Sequence, residues 1–526
     1  MKDKIYYFAK FNLPALLSLA EQRRGQPCTC DITQMPKCGS LNWVIFLCFQ
    51  DGVEWVFRSP KSDSDSFYSV DTASKILVSE ASTLLYLQAN TSIPVPQVFS
   101  YRLAVFLILM VLLLIFSSGS SDNDIGIPYI LQSKALGRSL GSYAWSPPRY
   151  QVPRLQYRSP PMPISDENRG KIMRQLGAFM SELSTHRFDS IGSLFREGDA
   201  SYVVGECLSP SLTWQERDSL GLDSGPFNNE HDYLVSLISA FTSHAKELSL
   251  TPHVFFAPVP DMADYESLSS YQKASRRWND FVAIGQKIEH SKNILYYCIA
   301  GQLLSEMIDD LSLDGAGSFA ISHPDLHLGN IYVDEDFNIT SIIDWSSAST
   351  GPVSEILAAP SLGSSAAPPS AYLTTAYRSG FIQEANKRTQ PLPDAVLWKR
   401  SEIMWYFTRL TRLLSKNDYQ LFERMFELIY NKDAFAHGKE RILGLFREHA
   451  GRDENVRLLA KLQEDDLSVE ELQERERACF SPKRSVNTDS IAVAIKLTLM
   501  SEINPTFLAD RRLWKWVEET REQDGL

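Results

Sequence analysis

One stretch of this chain leaves few folds open. Residues 322–345 read S-H-P-D-L-H-L-G-N-I-Y-V-D-E-D-F-N-I-T-S-I-I-D-W. Two short apolar runs, 331–333 and 339–343, flank turn residues at 334–338, so the segment predicts a loop followed by a β-hairpin. Asp325 and Asn330 fall in the loop, and Asp344 closes the second strand. A hairpin folds back on itself, which returns Asp344 to the neighbourhood of Asn330. Any fold for this chain must therefore set a loop bearing an acid and an amide beside a second acid.

Phosphoryl transfer requires such a set. One carboxylate orients or deprotonates the attacking hydroxyl, while an amide and a second carboxylate hold Mg2+ on the nucleotide phosphates. Asp325 is the candidate base, Asn330 reaches a metal from the end of the same loop, and Asp344 is the principal metal ligand. Protein kinases use the same Asp-to-Asn spacing in their catalytic loop. Asp and Asn also populate turns for reasons unrelated to catalysis. What distinguishes this segment is that the loop pattern and the second acid occur together, at the separation a hairpin provides.

The run H-P-D-L-H-L-G-N followed by I-I-D-W resembles the catalytic-loop and metal-loop signature of the aminoglycoside phosphotransferase and choline kinase group, in the form common in filamentous fungi. The resemblance implies an α+β, protein kinase-like two-lobed fold. A small β-rich N-terminal lobe would occupy residues 1–135, and a large helical C-terminal lobe 136–526, with the catalytic loop at 321–345 and a helical C-terminal extension. It also implies ATP and Mg2+ as cofactors, a hydroxylated small molecule as acceptor, and His323 as the brace of the catalytic loop. No activation segment ending in A-P-E follows Asp344, which favours a small acceptor over a protein.

Ahead of the loop the sequence predicts a lead-in helix at 14–22 and strands at 28–32, 42–49 and 53–58, with Asp51-Gly52 as a hairpin turn. Between the first two strands, Gly39 lets backbone approach phosphate, and Ser40 and Asn42 share its loop. Kinases neutralise phosphate charge with a strand-borne cation paired to a helix carboxylate. Arg58 is the candidate cation, Glu80 its acid, and Lys61 the alternative cation. Residues 131–135 would form the hinge, followed by a turn at 137–140.

The resemblance is interrupted at 102–121. Residues 103–116, L-A-V-F-L-I-L-M-V-L-L-L-I-F, are fourteen uninterrupted apolar positions. As a helix they cover about 21 Å, short of the roughly 30 Å hydrocarbon core. The segment reads as a translated retained intron, or a gene-model error, inserted into a connection between strands; as a genuine segment it would be an aggregation-prone or membrane-touching patch, and membrane contact is expected through 103–116 or not at all.

Composition narrows the partners. A net charge of -12 argues against a nucleic-acid backbone, whose recognition needs clustered Lys and Arg. Seven cysteines without framework spacing, and a first stretch that lacks a continuous apolar core and carries Asp3 and Glu21, predict a reduced cytoplasmic setting. Glu230, Asp232, Asp261, Asp264 and Glu266 are acids available to line a pocket for a cationic acceptor, although acids near helix starts ordinarily serve as caps. A rival reading is a kinase-like protein that binds nucleotide without turnover. The sequence specifies neither the acceptor nor an oligomeric state.

Overall fold

The computed structural model describes residues 4–39, 41–61, 68–102, 125–146, 161–198, 201–248, 291–312, 318–363, 367–412, 418–430, 438–464 and 468. The apolar insertion at 103–116, Ser40, the acids at 261–266 and the C-terminal extension beyond 468 lie outside the described residues. The chain divides into two compact units. The first comprises Met1–Trp145, Pro163–Ala240 and Ile308–Thr408, and the second Ser146–Met162, Phe241–Met307 and Arg409–Leu526. The expected lobe boundary at residue 135 falls within the first unit.

The first unit opens with helix α1 (Leu13–Arg24), started by the Asn12 side chain and stopped by Gly25 in the left-handed conformation. Strands β1 (Cys28–Thr29), β2 (Lys37–Cys38), β3 (Asn42–Phe49), β4 (Glu54–Pro60), β5 (Val98–Arg102) and β6 (Tyr129–Ser133) form one antiparallel sheet, ordered β1-β3-β4-β6-β5 with β2 beside β3. The first expected strand is shorter than the sequence suggested: past Thr29 the backbone turns, because Asp31 Oδ1 accepts from the Thr33 N–H at 2.8 Å.

Alternation along β3 decides what each face of the sheet does. Trp43, Ile45, Leu47 and Phe49 are buried in one core with Leu13, Leu16 and Ala20 of α1. Phe11, Phe57 and Tyr129 extend that core as consecutive stacked rings, at centroid separations of 5.5 Å each. The opposite face carries Val44 and Phe46 of β3 with Val56 and Arg58 of β4. Helix α2 (Val70–Asn90), begun by the Ser69 side chain, packs Leu77 and Ala81 against Ile130 of β6.

The remainder of the unit is mainly helical. Helices α3 (Asp166–Leu183) and, later in the chain, Ala371–Lys387 cross in close contact, and glycine on each makes this possible. A Cβ at Gly177 would stand 2.0 Å from the Tyr377 carbonyl oxygen, and one at Gly380 2.0 Å from that of Arg174. The apolar stripe of α3, Ile172, Leu176, Met180 and Leu183, lies in the same core as Ile331, Val333 and Ile342. Along the chain between the two helices come β8 (Leu194–Glu197), β9 (Ser201–Val204), β10 (Ala320–Ser322), β11 (Ile331–Val333), β12 (Ile339–Ile342) and β13 (Ser349–Gly351). β7 (Arg138–Ser139) pairs with β11, and Gly137 at φ +84° lets the turn before β7 pass the Val333 carbonyl, where a Cβ would be only 2.3 Å away.

The second unit is helical. Ser291–Glu306 packs with Gly438–Ala450 and Asp453–Gln463, and the Tyr297 hydroxyl donates to Asp418 Oδ2 at 2.9 Å. No helix among the described residues is long and apolar enough to cross a membrane. An antiparallel sheet with one helix carrying the partner of a strand-borne arginine, then a loop and hairpin within helices, is the α+β, protein kinase-like fold expected from the sequence.

Candidate active site

Strand β10 delivers the loop. Its antiparallel pairing with β13, Ser322 opposite Ser349, fixes where the loop begins. His323 follows, and both of its ring nitrogens are committed. A backbone N–H can only donate, so the bond from Asp325 N to His323 Nδ1 at 3.1 Å makes Nδ1 the acceptor. The ring proton therefore sits on Nε2, which donates to the Ile343 carbonyl at 3.0 Å. Burial pulls the His323 pKa down, in keeping with this neutral tautomer. The ring also lies 4.7 Å from that of Trp345, whose own N–H donates to the Ile342 carbonyl at 3.0 Å. His323 thus ties the start of the loop to the end of the hairpin.

Asn330 closes the loop. Its Nδ2 donates to the Asp325 carbonyl at 2.9 Å, leaving the amide oxygen as the acceptor end of a side chain only 6% exposed. Its own carbonyl accepts from Ile343 N at 2.9 Å, so the residue preceding Asp344 is bonded directly to Asn330. Between Asp325 and Asn330 in sequence, His327 is exposed. Its Nδ1 accepts from Gly329 N at 2.9 Å, and its Nε2 stands 3.6 Å from Asp325 Oδ2.

The charges converge on Arg58. Its Nη1 donates to Glu80 Oε1, while its Nη2 donates to Asp344 Oδ1 at 2.5 Å and to Ser346 Oγ at 2.9 Å. Ser346 Oγ in turn donates to Glu80 Oε2 at 2.8 Å, closing a ring of three side chains to which Asp344 is joined through Arg58. Arg58 is 7% exposed and Glu80 2%. Burial alone would lower the Arg58 pKa, but Glu80 and Asp344 hold it above its ordinary value. Burial pushes Asp344 up, and the Arg58 guanidinium outweighs it, holding the carboxyl below the usual carboxylate range. Burial also raises Glu80, with Asp344 adding to the effect. One cation between two carboxylates leaves the cluster one negative charge in excess, an environment suited to a further cation.

The remaining expected residues stand apart from this cluster. Gly39 N donates to the Asn42 carbonyl at 2.9 Å across the tip of the β2–β3 hairpin. A Cβ on Gly39 would meet nothing nearer than 4.0 Å, so internal packing does not demand glycine there. Among the described residues no hydrogen bond joins Gly39 or Asn42 to the Arg58 cluster. Lys61 lies over the Phe8 ring at 5.9 Å, and the pair with Glu80 belongs to Arg58. Asp232 belongs to a helix start capped by Asn229: its N–H donates to Asn229 Oδ1 at 2.8 Å and its Oδ2 accepts from Asn229 Nδ2 at 2.7 Å.

Three residues carry more of the site than the sequence suggested. Ser346 and His327 are described above. Glu355 is the third: its Oε1 accepts from the Tyr233 hydroxyl at 3.1 Å and its Oε2 from Ser322 Oγ at 3.4 Å, one residue before His323. Burial pushes its carboxyl up to about 7, with the charge of Glu230 adding to the shift.

The metal reading can be tested against the donors themselves. Among the described residues no group of three or more His, Cys, Asp or Glu side chains could hold a metal ion. An amide oxygen with one carboxylate suits Mg2+, which keeps several waters and takes further oxygens from phosphate rather than from an all-protein cage.

No family model matches the sequence. A subtelomeric hrmA-associated cluster protein of Aspergillus fumigatus is 25% identical over 346 residues, which are 61% of this chain and 58% of that protein. The corresponding protein of a second strain of the same species gives the same figures. The chain thus spans less than two thirds of the length of the curated relatives it matches. Among solved structures, the macrolide 2'-phosphotransferase MphH from Brachybacterium faecium is 14% identical, covers 80% of this chain and 99% of its own, and superposes with a TM-score of 0.36. A thermostable mutant of the aminoglycoside phosphotransferase APH(4)-Ia, in complex with AMP-PNP and hygromycin B, is 12% identical, covers 83% and 99%, and has a TM-score of 0.36.

Proposed function

We propose that this chain is an ATP-dependent phosphotransferase that moves the γ-phosphoryl group of ATP to a hydroxyl of a small molecule. The observation that carries the reading is Arg58. It comes from a sheet strand, pairs with Glu80 of α2, and donates to Asp344 at the end of the hairpin that follows the catalytic loop.

Asp325 faces the acceptor and takes the hydroxyl proton as the new oxygen–phosphorus bond forms and the bond to ADP breaks. His323 fixes the Asp325 backbone, and Asn330 pins the Asp325 carbonyl, so the base is held from both sides. Asn330 and Asp344 would hold Mg2+, which when bound supplies positive charge to the phosphate oxygens. Arg58, oriented by Glu80 and Ser346, contributes fixed positive charge to the phosphates, and the hairpin tip at 37–42 covers them. Catalysis of this kind is positioning and charge neutralisation, with no covalent enzyme intermediate.

The reading is tested by measuring ADP release with a panel of hydroxylated amines and sugars, together with nucleotide-induced thermal stabilisation. Wild type should do both, Asp325→Asn should bind nucleotide without turnover, and Asp344→Asn should lose the magnesium-dependent part of the stabilisation. If neither substitution alters activity or stabilisation, the assignment is wrong.

A further inference from the structure

The sheet face that bears Arg58 carries a second polar group with no role so far. Cross-strand register sets two parallel rows on that face: Val44, Arg58 and Ile130, then Phe46, Val56 and Gln132. Alternate residues of a strand share a face, so Gln132 points to the same side as Arg58, one pleat period of about 7 Å along the sheet. It is also the penultimate residue of β6, directly ahead of the connection to β7.

Gln132 is 7% exposed, and its Oε1 is buried with no hydrogen-bond partner among the described residues. Its flanks are apolar: Val56 opposite on β4, Val98 opposite on β5, and Phe46 beyond Val56. Buried polar groups are nearly always paired, and one that is not calls for an explanation. A flat heterocycle lying along this row, with its phosphates toward Arg58, would bury one face against Val56 beside Phe46, whose ring lies under the Lys37 and Lys134 ammonium groups at 4.9 and 5.3 Å, and bring its far edge to the amide.

We propose, resting on the phosphotransferase reading above, that Gln132 reads the purine of the bound nucleotide by hydrogen-bonding its exocyclic 6-substituent, and that guanine is accepted as well as adenine. The edge of a purine away from its sugar carries an amino group at position 6 in adenine and a carbonyl in guanine. A side-chain amide owns both an acceptor and a donor. A half-turn about its terminal torsion, which is broad and roughly two-fold, exchanges them. An apolar side chain at this position could reward neither base.

The test is calorimetric binding of ADP and GDP, with inorganic pyrophosphate as the probe of the phosphate end, to wild type, Gln132→Met and Gln132→Leu. Wild type should bind ADP and GDP within about tenfold of each other. Both variants should bind the two nucleotides roughly three- to tenfold more weakly, the worth of one hydrogen bond, with pyrophosphate binding unchanged. Thermal unfolding supplies a second readout: without nucleotide the variants should melt at or above the wild-type temperature, since a buried amide lacking a partner has been removed, yet gain less from ADP. A residue that merely supports the fold would lower both. Nucleotide affinities of both variants within twofold of wild type overturn the proposal, as does pyrophosphate binding that weakens in parallel, and a wild-type preference for ADP beyond tenfold overturns the two-base reading. A wild type that binds pyrophosphate and neither nucleotide overturns this proposal alone; one that binds none of the three takes the phosphotransferase reading down with it.

Discussion

Asp344 receives the Arg58 guanidinium at 2.5 Å from a backbone in the left-handed region, at φ +64°. The two residues are far apart in sequence, and their meeting joins the sheet to the hairpin that follows the catalytic loop. Left-handed backbone is costly for most side chains and tolerated best by Gly, Asn and Asp. The position therefore asks for a residue that accepts this conformation and also carries a negative charge, and of the common side chains only Asp satisfies both.

That pairing of demands separates charge from conformation by mutation. Asp344→Asn keeps a tolerated backbone and a similar volume while removing the charge, so its melting temperature should stay near that of wild type. Its phosphotransferase turnover should fall on the order of 10²-fold or more, the scale for losing one electrostatic contact to a transition state. Asp344→Ala should lose the same activity and also about 1–2 kcal/mol of stability from the strained backbone. Steady-state kinetics beside chemical denaturation of the two variants checks the split.

The buried ring of Arg58, Glu80 and Ser346 predicts an asymmetric response at Glu80. Glu80→Ala leaves the guanidinium half-paired away from water and should destabilise the first unit by about 3–5 kcal/mol, as breaking a buried pair does. Glu80→Gln retains hydrogen bonds to Arg58 and Ser346 and should cost much less. Urea unfolding followed by tryptophan fluorescence would read the difference, and equal losses for the two variants would contradict the ring.

Much of this geometry was legible in the residues because it is local. The turn at 334–338 forms through Asp334, whose side chain accepts from the Asp336 and Asn338 N–H groups at 3.0 and 2.8 Å, and this fixes the hairpin without help from elsewhere. Strand β3 keeps the bounds 42–49 expected from its apolar run. The reach from Arg58 to Glu80 could be anticipated because strand and helix follow closely in sequence. Glu355, Ser346 and Gln132 were not singled out in the sequence, and the reason is also physical. A Glu on a short helix, a Ser after a Trp and a Gln in an apolar strand carry no periodic signal. Their roles arise from partners such as Tyr233 and Arg58, which only the tertiary fold brings near.

Glycine contacts between α3 and the helix Ala371–Lys387 make a prediction independent of the site. With a Cβ at Gly177 or Gly380 set 2.0 Å from a facing carbonyl oxygen, neither helix can accept alanine without moving apart. Each substitution should destabilise by about 1–3 kcal/mol despite the better helix propensity of alanine. Because the two glycines face one interface, the double variant should cost less than the sum of the singles. Thermal melts of the three proteins test this, and an increase in melting temperature for either single variant would show that the helices do not cross so closely.

Glu355 supplies the pH dependence. Its carboxyl is pushed up to about 7 by burial, from an ordinary value of 4.5, so between these two values the folded chain holds a proton that the unfolded chain has released. Stability from this group is therefore fully present below pH 4.5 and is lost as pH rises toward and through 7, a change on the order of 3 kcal/mol. Glu355→Gln, which cannot ionise and still accepts from the Tyr233 hydroxyl, should flatten that part of the stability profile and make the protein more stable than wild type at pH 8. Because Ser322 Oγ, one residue before His323, donates to Glu355, and a carboxylate accepts more strongly than a neutral carboxyl, ionisation above pH 7 should tighten the tie to the start of the catalytic loop in wild type alone. Denaturation midpoints of both proteins at half-unit steps from pH 5 to 8.5 decide the matter: parallel curves would mean that the carboxyl ionises in the folded chain as freely as in water.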